Sequence, residues 1–153
     1  MKVAVTGGAG FIGSHVADAF FAAGHEVVVL DNFYTGKRDN VSSGIRVYDI
    51  DITTSDLDNI FDREQFDIVS HHAAHMELRV SVEKPVFDAE QNVLGSLRIL
   101  EASRRTNVKH VVLASTGGGL YGEQDVVPAP ETHPIRPTSP YGTAKRSMEL
   151  YAD

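Results

Sequence analysis

The residues whose types and spacing could do chemistry are a tyrosine four places before a lysine, in Tyr141-Gly142-Thr143-Ala144-Lys145, and a glycine cluster near the start, Thr6-Gly7-Gly8-Ala9-Gly10-Phe11-Ile12-Gly13. On a helix, positions i and i+4 leave the same face, so Tyr141 and Lys145 are predicted neighbours. A glycine turn that ends a strand and opens a helix brings backbone amides close to a phosphate, and the helix N-terminus favours the negative charge. Gly7, Gly10 and Gly13 satisfy one spacing, and Gly8, Gly10 and Gly13 satisfy the Gly-x-Gly-x-x-Gly form; both place a pyrophosphate at the same turn, beside Phe11 and Ile12. A tyrosine acts as a base near neutral pH only if its pKa of about 10 is lowered, and an ammonium plus a cationic nicotinamide ring would lower it. A lowering of about three units corresponds to roughly 4 kcal/mol. The two motifs together therefore predict a nicotinamide dinucleotide cofactor, with Tyr141 and Lys145 at its reactive end.

Other positions extend this site. Asp31 follows Gly13 by 18 residues and ends a predicted strand, where a carboxylate accepts hydrogen bonds from an adenosine ribose. It favours NAD, because the extra phosphate of NADP would meet its charge, although Lys37 and Arg38 work in the other direction. Asp31-Asn32 also suits the cap of a turn. Asp51-Ile52 is the candidate for the adenine end, in competition with Asp49 and Asp56. Ser115 and Thr116 end a strand and offer a hydroxyl to the crevice, followed by three glycines that either admit a bulky ligand or form a flexible turn. His71, His72 and His75 have no carboxylate or cysteine completing a metal-ligand spacing, so no metal is expected. The histidines are expected instead to belong to a loop, Ala73-Ala74-His75, beside the cofactor or to satisfy local hydrogen bonds, and Asn92 either hydrogen-bonds that loop or is an ordinary solvated or packed polar residue.

These residues need a framework. Residues 2–6, 26–30, 45–48, 66–70 and 110–114 read as buried strands alternating with helical patterns, the signature of a parallel sheet. Between the first two, Ile12, Val16, Phe20 and Ala23 share a helical face, and Gly24 is a C-terminal cap. A long helix is expected over residues 86–106, with Val93, Leu97, Leu100 and Ile99 inward, and another starts near Pro140. Right-handed crossovers then give an α/β doubly wound Rossmann fold with helices on both faces, in the strand order 3-2-1-4-5. Five of the six prolines fall between Pro128 and Pro140, so an extended, stiff loop delivers Tyr141.

A chain of 153 residues suits one domain with one core, able to bury about 70% of the surface of its unfolded state. No apolar run approaches the roughly 18 residues of a membrane span, and the segment before the glycine turn is too short for a signal peptide, so a cytoplasmic location is expected. The absence of cysteine excludes disulfides and thiolate chemistry. A net charge of −7 argues against a nucleic-acid partner. The sequence ends at Asp153 inside a helical pattern, from which a longer protein is expected.

The motifs resemble those of the extended short-chain dehydrogenase/reductase superfamily, within it the NAD-dependent sugar-nucleotide epimerases and dehydratases. The resemblance rests on the opening Thr-Gly-Gly-Ala-Gly-Phe-Ile-Gly-Ser-His, Asp31-Asn32 with Gly36-Lys37-Arg38, Asp51-Ile52-Thr53, His71-His72-Ala73-Ala74, Ser81-Val82-Glu83-Lys84-Pro85, Asn92-Val93, Tyr121-Gly122-Glu123 and Ser139-Pro140-Tyr141-Gly142. It implies a 4-epimerase of nucleotide sugars, a UDP-hexose being favoured. Tyr141 would take the proton of the sugar 4-hydroxyl while a hydride passes from C4 to NAD and later returns, and Lys145 would lower the tyrosine pKa and hold the nicotinamide ribose. It also implies a substrate-binding domain beyond residue 153 and a homodimer built from helices near 86–106 and 141–153. The family usually has Ser or Thr four residues before the tyrosine of its Tyr-Gly pair. Here that place is Gly117 and Thr116 lies one residue earlier, so either the backbone presents Thr116 or Tyr141 takes the proton with less help. Dehydratases carry acidic residues after that Thr where this chain has glycines. The alternatives are another nucleotide-sugar dehydratase, decarboxylase or reductase, or a non-catalytic NAD(P)-sensing module.

Overall fold

The computed structural model describes residues 1–153. In chain order the elements are β1 (Lys2–Thr6), α1 (Phe11–Ala22), β2 (Glu26–Asp31), β3 (Arg46–Asp49), α2 (Leu57–Glu64), β4 (Ile68–His71), α3 (Leu78–Glu83), α4 (Pro85–Ala89), a π-helical turn (Glu90–Leu94), α5 (Gly95–Arg105), β5 (His110–Leu113), α6 (Gly117–Tyr121) and α7 (Pro140–Ala152). They form two compact units, Met1–Ala74 with Gly95–Ala114, and His75–Leu94 with Ser115–Asp153.

The first unit holds the whole sheet. Its strands are parallel in the order β3-β2-β1-β4-β5, the doubly wound order read from the sequence. The register pairs Thr6 with Leu30 and with His71, and Asp31 with Asp49, so these strand ends share the carboxyl edge where ligands bind in such sheets. Strands covered on both faces read as continuous β-branched runs, and Val3, Val5, Val28, Val29 and Val69 are fully buried. One face packs Leu57, Phe61, Ile99 and Ala102 of α2 and α5 against Ala4, Val28, Leu30 and Val69. The other packs Ala17 and Phe20 of α1 against Val3, Val5, Val27 and Val29.

Two predicted helix faces are corrected. On α1 the buried residues are Gly13, Ser14 and Ala17, whereas Ile12 is exposed and Val16 and Phe20 are half-buried. Hydrophobic periodicity weighs side-chain apolarity, but this helix lies so close to the glycine turn that a Cβ on Gly13 would collide with the Gly7 carbonyl, and small residues take the inner face. The long helix of residues 86–106 is interrupted by the π turn, whose extra residue shifts the phase. Asn92, Gly95, Ser96, Ile99 and Ala102 consequently point inward, while Val93, Leu97 and Leu100 are only half-buried.

Glu64 anchors the opposite edge of the sheet. Its buried carboxylate receives Lys2 at 2.6 Å, Arg46 at 2.8 Å and the Tyr48 hydroxyl at 2.5 Å. Burial alone would raise its pKa, but hydrogen bonds from Lys2, Tyr48 and Arg46 outweigh it and hold the carboxyl at about 2.

The second unit is built on α7, with Pro140 in its first turn and Ser139 capping it through the Gly142 N–H at 3.1 Å. The buried residues Gly142, Ala144, Lys145 and Met148 mark its inner face. The proline-rich stretch before it is fixed by His133, which accepts the Asp125 N–H at 3.1 Å and lies edge-on to Tyr121.

Candidate active site

In the sheet-bearing unit, Gly7 has φ +66 and stands so near the end of β4 that a Cβ there would lie 2.6 Å from the Ala73 nitrogen. Only glycine combines that backbone with that approach. Gly10 precedes α1 with no side-chain cap and no acidic residue in the first turn, which leaves the helix N-terminus suited to an anion. Phe11 and Ile12 sit on this turn with their side chains exposed, 80% and 63%. Thr6 holds the neighbouring loop by accepting the N–H groups of His72 and Ala73, both at 3.2 Å, and its hydroxyl lies 2.6 Å from Nδ1 of the buried His71. The other ring nitrogen of His71, Nε2, lies 2.9 Å from the Ser96 hydroxyl, so the buried imidazole joins β1 to α5.

Asp31 ends β2 and accepts the Ala9 N–H at 2.9 Å and the Phe33 N–H at 2.8 Å. Asn32 accepts the Tyr34 N–H at 3.1 Å and donates to Asp51 at 3.1 Å, so the turn-capping role read for Asp31-Asn32 is present. Asp51 also receives the Thr53 amide and hydroxyl. Burial pushes its pKa up, but Thr53 and Asn32 more than offset it and leave the carboxyl below its ordinary value. The Ile52 side chain is buried in the core, where it packs on Gly95, so it is a packing residue and only its backbone is available to a ligand.

The second unit holds Tyr141 and Lys145 on one face of α7, with Lys145 Nζ 5.9 Å from the centre of the Tyr141 ring. Lys145 is buried, which lowers its pKa to about 8 against an opposing pull from Asp88. Tyr141 moves the other way from the expectation: burial of the half-buried phenol first, and the Asp88 charge second, raise its pKa. The hydroxyl candidates are engaged elsewhere. Ser115 donates to Glu149 at 2.5 Å, and Thr116 caps α6 by accepting the Gly119 N–H at 3.3 Å. Beside them Gly117 and Gly118 face open space. Asn92 holds the backbone of His75 at both its peptide groups, accepting its N–H at 2.8 Å and donating to its carbonyl at 2.9 Å. Ala74 closes the first unit at the boundary with His75.

Asp88 and Glu149 are the charged groups here that the motifs did not bring forward. Each carries a spacing signal, Asp88 four residues before Asn92 and Glu149 four after Lys145. No group of three His, Asp or Glu side chains could hold a metal, and no helix is long and apolar enough to cross a membrane.

A profile of the NAD dependent epimerase/dehydratase family matches residues 3–153. The chain is 43% identical over 149 residues to a putative UDP-glucose 4-epimerase of Methanocaldococcus jannaschii, covering 97% of this chain and 49% of that protein. The structure of the Thermotoga maritima UDP-glucose 4-epimerase with UDP-glucose superposes with a TM-score of 0.96 at 42% identity, over 99% of this chain and 50% of that one. The Thermus thermophilus UDP-glucose 4-epimerase complexed with NAD gives 0.92 at 46% identity, over 99% and 50%. The chain thus spans about half the length of the curated relatives it matches.

Proposed function

As the chain belongs to the NAD dependent epimerase/dehydratase family, we propose that it is the NAD-binding domain of a sugar-nucleotide 4-epimerase that acts on UDP-hexoses. The observation that carries this reading is the stacking of Lys145 over Tyr141 on one face of α7.

The glycine turn fits a dinucleotide: Gly7, Gly10 and Gly13 keep the backbone clear, and the start of α1 receives the pyrophosphate. Asp31 accepts the adenosine ribose hydroxyls and discriminates against NADP, while Asn32 and Asp51 border the adenine. When bound, NAD supplies a reversible hydride store for the sugar C4 and a positive ring beside the phenol. Tyr141 takes the 4-hydroxyl proton at its Oη and returns it. Lys145, a cation at neutral pH, binds the nicotinamide ribose and holds positive charge beside the developing phenolate. Ser115 already donates its proton to Glu149 and Thr116 is turned toward the α6 cap, which supports direct proton transfer to Tyr141. The glycines after Thr116 supply no acid for a dehydration.

Coverage of half of each relative supports a second domain that binds the sugar nucleotide. A homodimer is supported by the exposed apolar side chains of Val82, Val86, Leu94, Leu150 and Tyr151 on the helices near 86–106 and 141–153 and their surroundings. The whole protein is read as cytoplasmic. The test is to supply UDP-galactose and NAD to the longest protein carrying this chain: UDP-glucose without net NADH supports the reading, and bound NAD without conversion removes the substrate assignment.

A further inference from the structure

The glycine turn before α1 does not hold its shape alone. Ala9, in the middle of it, is fully buried, and its carbonyl accepts two hydrogens from the segment that follows β2: the Lys37 N–H at 3.0 Å and the Asn40 side-chain amide at 2.8 Å. A 3-10 turn at Arg38–Asn40, closed by the Asn40 N–H on the Lys37 carbonyl at 3.0 Å, returns the Asn40 side chain to the carbonyl that the Lys37 N–H already reaches. The N–H of that same peptide belongs to Gly10 and goes to the Gly7 carbonyl at 3.1 Å, so the peptide is bonded at both ends. Gly36 lets the segment come this close: a Cβ there would lie 2.9 Å from the Ala9 Cβ and 2.9 Å from Asp31 Oδ1. Its φ is not left-handed, so glycine serves the approach at this position and not the backbone conformation.

We infer that Asn40 and Gly36 are positioning residues for the dinucleotide, orienting the Ala9–Gly10 peptide and, with it, the first amides of α1 toward the pyrophosphate. The inference rests on the reading that this turn receives the pyrophosphate, and it adds two residues outside the glycine motif. The first N–H groups of a helix have no partner within it, and they serve an anion only when the chain entering the helix fixes their direction. Asp31 holds the preceding peptide through the Ala9 N–H, but it is also proposed to read the ribose, so Asn40 isolates the brace from the ligand contact. Losing the Asn40 amide leaves the Ala9 carbonyl with the Lys37 N–H, so no buried acceptor is orphaned and the fold is spared while one restraint on the turn is lost.

The test compares ADP-ribose, which carries the pyrophosphate, with adenosine, which lacks it, by calorimetry on the longest protein carrying this chain, freed of NAD. The wild type should bind ADP-ribose far more tightly than adenosine. In Asn40→Ala the affinity for ADP-ribose should fall about three- to tenfold, the factor of one neutral hydrogen bond, with adenosine affinity and melting temperature nearly unchanged. Asn40→Asp, which sets an acceptor against the Ala9 carbonyl, should lose more. Gly36→Ala, which pushes the segment off the turn, should show the same selective loss, and where it does not fold the Asn40 variants carry the test. Equal losses for both ligands, or none for either, overturn the inference. A wild type without preference for ADP-ribose overturns the phosphate reading together with it, whereas a preference abolished by Gly10→Val and untouched by Asn40→Ala overturns this inference alone.

Discussion

Asp31 accepts the Ala9 N–H at 2.9 Å, so the carboxylate that ends β2 also braces the glycine turn that follows β1. The next peptide is held as well, the Ala9 carbonyl accepting the Asn40 side-chain amide at 2.8 Å and the Lys37 N–H at 3.0 Å. One residue thus shapes the phosphate turn and is proposed to read the ribose.

Asp31→Ala should therefore act twice. Loss of two charge-assisted hydrogen bonds should cost about 1–3 kcal/mol of stability, read by thermal unfolding. Calorimetry should show NAD affinity falling at least tenfold, and Asp31→Ser should narrow the gap between NAD and NADP. Unchanged affinity for both cofactors would restrict Asp31 to its turn.

Gly7 and Gly10 should separate folding from binding. Gly7→Ala forces a Cβ onto the Ala73 backbone at φ +66 and should destabilise the fold by about 2 kcal/mol or more. Gly10 has ordinary φ, and its nearest neighbour is the Gly7 carbonyl at 3.2 Å, so Gly10→Val should leave a folded protein that no longer holds the pyrophosphate. Normal NAD affinity in folded Gly10→Val would remove the phosphate role from this turn.

Acid should strike the Glu64 cluster. Its folded pKa of about 2 lies below the ordinary 4.5, so its contribution is present above that value and disappears as pH falls toward 2. The difference corresponds to roughly 3 kcal/mol. Urea unfolding across this range should show the loss in the wild type, and Glu64→Gln should be less stable at neutral pH with a flatter acid dependence. Parallel curves would contradict the assignment.

The sheet was legible because strands buried on both faces must be β-branched and continuous, and because the glycine turn fixes where the first one ends. Helix faces were less so. The α1 face depends on size, with Gly13 and Ala17 admitted where larger residues cannot fit, and the π turn at Glu90–Leu94 leaves no periodic mark. The Tyr141–Lys145 neighbourhood follows from i, i+4 geometry, but the upward shift of Tyr141 does not, since it depends on burial and on Asp88 from another helix. Ser115 and Thr116 carried the right chemistry, and only the folded chain shows Glu149 and the α6 cap engaging them.

The most direct measurement is to give the longest protein carrying this chain UDP-galactose deuterated at C4 and to compare it with its Tyr141→Phe variant. The account predicts UDP-glucose with the deuterium still at C4, no net NADH, and a variant slowed at least a hundredfold while retaining NAD. Deuterium lost to solvent, or full turnover without the Tyr141 hydroxyl, would contradict it.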